Sequence, residues 1–428
     1  MNREETHRPM PADCQFSIGA DSLKEWSPEQ ALLALAARTV WCPESAHRMA
    51  AILKTGVNWP RVEAWADRLG ASPLLFHRLS GGENARHVPR AVMARLREAY
   101  RLQAMRSMRL YGQIGRILTV LNRKEIPVIL LKGAYMARWV YPDAALRPMS
   151  DIDILVQPHR AQEARQRLLD EGYGSMTLRA PSRFHEKVAH TRSAHLPALV
   201  TAKGVHVEVH VDLFTKAPLR SGIMKEVWDR AGPVDLDGHK ALTLCPEHLM
   251  LHLASHLHSH IMSGKTVLYW FCDLDRGLRN HEGRIDWDAI QTAAHALGIT
   301  PRVERVFGIM HRYWGTPIPE RLRGTGREDI PSLREMLFNP RANLKDFMPE
   351  RMRLVREITK EFGWGGGIYY VVRHLVPTRA CMVERYQPRS RRDLLRAYGF
   401  HLEEKCRRAF LSMDALLRMW HRGGKSSH

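Results

Sequence analysis

Residues 205–212 read Val-His-Val-Glu-Val-His-Val-Asp. Successive side chains on a β-strand point to opposite faces. The valines therefore share one face, and His206, Glu208, His210 and Asp212 share the other. Such a strand needs a hydrophobic core beneath one side and counter-charges or a ligand on the other. Ser150-Asp151-Ile152-Asp153-Ile154-Leu155-Val156 repeats the pattern: Asp151 and Asp153 fall on one face, Ile152 and Ile154 on the other. Crowded carboxylates repel each other unless a cation neutralises them. Mg²⁺ takes hard oxygen ligands and keeps positions open for phosphates, with Mn²⁺ as an alternative. Asp151, Asp153 and a third acid from the second strand can together hold two Mg²⁺ ions. Glu208 is the first choice for that acid, and Asp212 on the same face is the alternative.

A third strand is expected just upstream. Residues 126–131, Ile-Pro-Val-Ile-Leu-Leu, form the short continuous apolar run of a buried strand. Lys132-Gly133 ends it, and residues 134–141 suit a helix. Glycine lets backbone N–H groups approach an anion, and the start of a helix favours negative charge. Lys132 and Arg147 can add charge-assisted contacts to a phosphate. A strand hairpin is expected over 195–201 and 205–214, turning at Lys203-Gly204. Mixed α/β character is confined to roughly residues 126–234.

Helical patterns occupy the rest. Ser27-Pro28-Glu29-Gln30 is a capping box ahead of an apolar run. Further helices are expected over 59–69, 74–79, 92–121, 160–171, 246–260, 267–278, 286–297 and 301–314. Residues 317–346 read as a loop region, and Gly363-Trp364-Gly365-Gly366-Gly367 as an interruption. The organisation expected is a flexible stretch (1–24), a helical region (25–122), a catalytic core (123–240), a helical region completing the site (241–325) and a basic, mostly helical region (326–428).

Bulk properties narrow the partners. The chain has 428 residues and a formal net charge of +20, which points to an anionic partner. Residues 351–428 carry 17 basic and 7 acidic residues, half of that excess. No apolar run approaches the roughly 20 residues of a membrane span, and the start lacks a signal peptide's apolar stretch. The six cysteines form no CxxC pair, which argues against a zinc ribbon or a disulfide framework. A cytoplasmic location is expected.

Strand, glycine turn, helix, Ser-Asp-x-Asp, then an acid on a later strand is the plan of the DNA polymerase beta-type nucleotidyltransferase superfamily. The chain resembles most closely a bacterial group of uncharacterised nucleotidyltransferases. The likeness rests on Leu131-Lys132-Gly133, Tyr141-Pro142-Asp143, Arg147, Ser150-Asp151-Ile152-Asp153-Ile154-Leu155-Val156, Gly172-Tyr173 and Glu208-Val209-His210. It extends through Pro246-Glu247-His248-Leu249, His256, Asp273 and Asp286-Trp287, and back to Asn58-Trp59 and Pro73-Leu74-Leu75, covering roughly 25–320. It implies an α+β core with a mixed sheet, flanked by N- and C-terminal helical regions. It also implies transfer of a nucleoside monophosphate from an NTP such as ATP to a hydroxyl or phosphate acceptor, with release of pyrophosphate. Asp151, Asp153 and Glu208 would be the metal ligands, with His210 beside them as a base or as a partner of a carboxylate. Lys132, Gly133, Arg147, Ser150 and Asp273 would meet the nucleotide. One departure is Ala134, where the superfamily usually places a second glycine or a serine after the first.

Other features carry plainer alternatives. His248, His252, His256 and His260 recur every four residues on one helix face. No Glu or Cys is placed as in a zinc protease, so contacts to the metal-holding carboxylates or to phosphate are favoured over a zinc site, with a polar face packed under the acidic sheet as the plainer alternative. Lys187, Arg192 and Lys203 are available to an anionic acceptor or simply to solvent. Trp364, Tyr369 and Tyr370 beside arginines permit base stacking but also suit a core. The acceptor stays open among RNA, a protein or peptide, a sugar or another small molecule. A silent binding scaffold that kept the fold is the non-enzymatic alternative.

Overall fold

The structure is a computed structural model that describes residues 26–176, 180–214, 221–263, 266–324, 333–338 and 347–406. The expected flexible start (1–24) lies outside them, as does much of the expected loop region. Four short helices come first: α1 (Pro28–Ala36), α2 (Pro43–Thr55), α3 (Trp59–Arg68) and α4 (Ser72–Leu79). The capping box forms as expected: Gln30 N–H donates to Ser27 Oγ, and Ser27 N–H to Gln30 Oε1. The long α5 (Arg90–Asn122) then runs behind the sheet.

Among the described residues the sheet has seven strands in the order β3-β4-β5-β2-β1-β7-β6. At its centre lie β1 (Ile129–Leu130), β2 (Asp151–Leu155) and β5 (His206–His210). β1 runs antiparallel to β2, and β2 runs parallel to β5. The end of β1 and the starts of β2 and β5 therefore meet at one end of the sheet. Ile152, Ile154, Val207 and Val209 are buried, so the apolar face faces the core. The connections are α6 (Lys132–Trp139), α7 (Pro158–Asp170), β3 (Gly174–Ser175), α8 (Arg183–Arg192), β4 (Leu199–Val200) and α9 (Ser221–Asp229). β4 and β5 form the expected hairpin, with Gly204 at φ 73° in its turn.

One hairpin goes beyond the expected mixed region. β6 (Gly232–Leu236) and β7 (His239–Thr243) turn at Asp237-Gly238, with φ of 52° and 89°. Two successive positive φ values are the mark of a type I′ turn, which Asp-Gly favours. β7 pairs in parallel with β1 and so widens the central sheet.

Helices return with α10 (Pro246–Ser263), α11 (Leu268–Asn280), α12 (Trp287–Ala296) and α13 (Thr300–Ile309). The C-terminal helices are α14 (Leu333–Phe338), α15 (Phe347–Leu375) and α16 (Arg379–Tyr386). The glycine-rich stretch interrupts α15 as expected: Gly363 leaves helical geometry at φ 72°, and two helical segments meet at the kink. The architecture is α+β, a mixed sheet flanked by helices, as expected.

Candidate active site

β2 and β5 pair in register, which sets Asp153 directly opposite Glu208. Both project from the polar face. His210, opposite Leu155, follows Glu208 on that face. Among the described residues, Asp153, Glu208 and His210 offer ligand atoms within 4.8 Å of one another. Asp151, two residues before Asp153, stands outside that group. Its Oδ1 accepts from Ser150 Oγ at 2.9 Å. Asp212 lies past the end of β5, where its Oδ1 accepts from the Phe214 N–H. The polar alternation therefore continues in the sequence further than the strand does in space.

Positive charge meets this cluster from two sides. Lys132 Nζ donates to Asp153 Oδ1 at 2.8 Å, and His210 Nε2 lies 2.8 Å from the same oxygen. Glu208 Oε2 lies 3.4 Å from His210 Nε2 and 3.8 Å from His195 Nε2. Burial alone would push Asp153 up, but Lys132 and His210 hold it well below the ordinary carboxylate range. His210 is pulled down by burial, and its bonds to Asp153 and Glu208 more than reverse this, so its imidazole is raised. The His210 hydrogen bond lowers Glu208. Asp151 behaves oppositely: burial and the nearby Asp153 charge raise it.

Lys132 reaches Asp153 from a left-handed backbone, φ 43°, at the junction of β1 and α6. A non-glycine residue in that region costs about 1 kcal/mol or more and marks an imposed geometry. The next residue shows what imposes it. A Cβ at Gly133 would lie 2.2 Å from Arg147 Nη1 and 2.5 Å from Met149 Cγ. Glycine is required here by the arginine packed against it.

Arg147 is itself consumed by a buried network. Its Nε lies 3.1 Å from Asp273 Oδ2, its Nη2 donates to the same oxygen at 2.7 Å, and its Nη1 donates to the Pro148 carbonyl. The Tyr141 hydroxyl donates to Asp273 Oδ1 at 2.9 Å, and the Tyr269 ring lies under the guanidinium at 4.9 Å. Arg147 and Asp273 are 5% and 1% exposed. The structure thus sorts the expected nucleotide contacts into two pairs. Lys132 joins the acids, whereas Arg147 joins Asp273 of α11 behind the glycine. Ser150 is exposed beside Asp151. Asp143 caps Ala145 N–H and accepts from the Tyr100 hydroxyl.

The histidine face of α10 packs against this centre. His252 Nδ1–H donates to the Leu213 carbonyl, and its Nε2 is buried without a hydrogen-bond partner. Burial, with the charges of Lys132 and His210, lowers its pKa to about 3. His256 is lowered too, by burial first and Lys132 next, then by His260 and His252. His248 meets Cys245, and His260 stacks on Trp270. Sequence reasoning did not single out His195. It precedes β4, and an isolated bridge to His210 brings it to Glu208. No spacing rule in the sequence announces that contact. Lys187 packs over Phe362 instead of facing the acids, and Tyr370 stacks on His185. Trp364 is exposed, and the Arg192 side chain lies outside the described residues.

The family model described as an uncharacterised nucleotidyltransferase matches residues 55–315. That interval contains the whole sheet and every side chain of the acidic cluster. No curated protein is significantly similar to the chain. Among solved structures, an antigenic nucleotidyltransferase-like protein from Paracoccidioides brasiliensis is 16% identical, over 46% of this chain and 91% of its own. The TM-score of 0.28 is an overlap too loose to bear on the fold. Among the described residues, no helix is long and apolar enough to cross a membrane.

Proposed function

Because the chain belongs to the uncharacterised nucleotidyltransferase family, with more than half its length matched, we propose that it moves a nucleoside monophosphate from an NTP to a hydroxyl or phosphate acceptor and releases pyrophosphate. The observation that carries this reading is the in-register placement of Asp153 and Glu208 on neighbouring parallel strands, with Lys132 lent from the β1–α6 junction. Two hard-oxygen side chains lie close together, a donor set that suits a divalent cation once Lys132 gives up Asp153. Asp151, Asp153 and Glu208 would hold Mg²⁺, which when bound supplies charge neutralisation for the triphosphate and its leaving group.

The chain's own residues do the rest. Lys132 can exchange its partner, turning from Asp153 to a phosphate oxygen once the carboxylate is otherwise neutralised. Gly133 and the start of α6 offer backbone N–H groups to the same phosphates. Arg147 and Asp273 hold that turn in place without touching the nucleotide. Ser150 anchors Asp151. The Nε2 of His210 is engaged with Asp153, which favours orienting the carboxylate over accepting the acceptor's proton. Catalysis then rests on positioning and charge. The catalytic unit would be residues 123–240 completed by 241–325, with 25–122 and 326–428 as helical flanks.

The test is a transfer assay with α-³²P-labelled NTPs, Mg²⁺ and cell extract as acceptor source. Asp151→Ala, Asp153→Ala serves as the control. Label is expected to move with the wild type, at least ~10³-fold faster than with the control. Absence of both transfer and Mg²⁺-dependent NTP binding would make the protein a scaffold and sink the proposal.

A further inference from the structure

One cavity between α5 and the β4–β5 turn reaches the edge of the acidic cluster at Ser150, and none of the acids lines it. It has a volume of about 480 Å³, and its lining includes Leu102, Met105, Arg106 and Arg109 of α5, Lys203 of the β4–β5 turn, and Ser150. That is the size range of small-molecule sites, roughly 300–1,000 Å³. Its position follows from the sheet. β2 lies between β1 and β5. Lys132 and Gly133 follow β1, and Lys203 precedes β5, so along the sheet the turn and the cavity lie on either side of the start of β2, the cavity on the side of α5 and Val205. Ser150 belongs to both, since it lines the cavity and donates to Asp151. The charges of both Asp151 and Arg106 reach the Tyr269 hydroxyl.

The lining is chemically specific. Arg106 and Arg109 stand three residues apart, on one face of α5. Arg109 Nη2 donates to the Lys203 carbonyl, which ties the helix to the hairpin turn and closes one wall. Among the described residues, no carboxylate lies within ion-pair distance of Arg106, Arg109 or Lys203. Three cations around one cavity without a counter-charge leave room for a multiply charged anion, and guanidinium forks match phosphate oxygens. Leu102 and Met105 are 56% and 63% exposed, an apolar wall next to the cations.

We propose that this cavity holds the acceptor of the transfer reaction, a small phosphomonoester with an apolar body, its phosphate on Arg106, Arg109 and Lys203. The proposal rests on the nucleotidyltransferase reading above. In that transfer an oxygen of the acceptor's phosphate bonds to the α-phosphorus of the NTP as the bond from that phosphorus to the α–β bridging oxygen breaks, and pyrophosphate leaves toward the glycine turn. The excess positive charge of the chain thus has a local use at the reaction centre.

The test is calorimetric titration of the full-length protein with phenyl phosphate, with and without Mg²⁺ and a non-hydrolysable α,β-methylene NTP. Phenol serves as the uncharged control, and a 12-nucleotide single-stranded RNA as a competitor. Phenyl phosphate is expected to bind, phenol not to bind, and Arg106→Gln, Arg109→Gln to weaken phenyl phosphate roughly tenfold or more. NTP affinity and melting temperature of that variant should stay at wild-type values. NTP binding without phenyl phosphate binding overturns the acceptor cavity and leaves the enzyme reading intact. Loss of NTP affinity in the double arginine variant also overturns it, because the cavity would then hold the triphosphate. RNA that binds through these arginines where phenyl phosphate does not would replace the small molecule with a polynucleotide. Phenyl phosphate binding that needs the arginines, in a protein with no Mg²⁺-dependent NTP binding, would sink the reaction and keep the anion site.

Discussion

Two buried ion pairs meet on either side of the glycine turn, and they are built for opposite purposes. Arg147–Asp273 is saturated: a two-pronged contact, a tyrosine hydroxyl on the carboxylate, a carbonyl on Nη1 and a ring beneath the guanidinium. Lys132–Asp153 is a single contact from a lysine on a left-handed backbone, shared with His210 and beside a half-buried glutamate. A saturated pair has nothing left to give a ligand and sets shape. A pair joined by one hydrogen bond, whose carboxylate keeps a second partner in His210, can be exchanged. Similar residue types in one short stretch of sequence thus divide into a frame and a working part.

The largest effect should come from breaking the frame. Arg147→Leu leaves the Asp273 charge buried with only Tyr141, and removing one partner of a buried pair costs about 3–5 kcal/mol. Denaturant unfolding should show a loss of that size. Arg147→Leu, Asp273→Leu should recover much of it, since neither charge is then stranded. A single variant as stable as the wild type would mean that the pair is not a frame. Gly133→Ala strikes the same frame from the other side. Its methyl group meets Arg147 Nη1 and Met149, and overpacking of this kind costs about 1–3 kcal/mol. It should also weaken NTP binding, because Lys132 moves with the turn. Unchanged stability of the Gly133→Ala variant would show that the arginine yields freely.

The exchangeable pair should behave differently. Lys132→Met removes the cation that neutralises Asp153 and leaves that carboxylate facing Glu208. Stability without metal should fall by about 1–3 kcal/mol. The gain in melting temperature on adding Mg²⁺ should grow in the variant, since the ion then supplies a charge that the lysine no longer does. If Mg²⁺ stabilises both proteins equally, Lys132 and the cation do not share Asp153, and the exchange proposed for catalysis fails.

The sequence made the working part legible and left the frame hidden, for a physical reason. Alternation along a strand fixes which side chains share a face, so Asp153, Glu208 and His210 could be placed from spacing alone. Arg147 and Asp273 are 126 residues apart, and no local rule says that an arginine before a strand turns away from the site toward a later helix. His195 was missed on the same ground: a bridge between loop and strand delivers it to Glu208. Asp212 shows the converse error. It keeps the alternating pattern, but β5 has already ended. The β6–β7 hairpin carried an Asp-Gly turn signal at 237–238, just past residue 234, the expected end of the mixed region.

The smallest effect lies beside the exchangeable pair, at His252, and it tests whether the α10 face helps to hold that pair. Its folded pKa is about 3 against roughly 6.5 for an ordinary histidine. Between those values the unfolded chain binds a proton that the folded protein refuses. The unfolded state therefore gains as pH falls, and the contribution of His252 is fully present above about 6.5 and lost progressively down to about 3. Burial is the main cause, and Lys132 and His210 add like charge. In EDTA, stability should fall by up to about 1.4 kcal/mol per pH unit from this group between pH 6 and 4. His256 is lowered in the same direction, so the wild-type slope should exceed what His252 alone supplies. His252→Asn cannot take up the proton and should flatten the slope without abolishing it. A variant with the wild-type slope would place the acid sensitivity elsewhere and detach the histidine face from the packing that holds Lys132 and His210 over the acids.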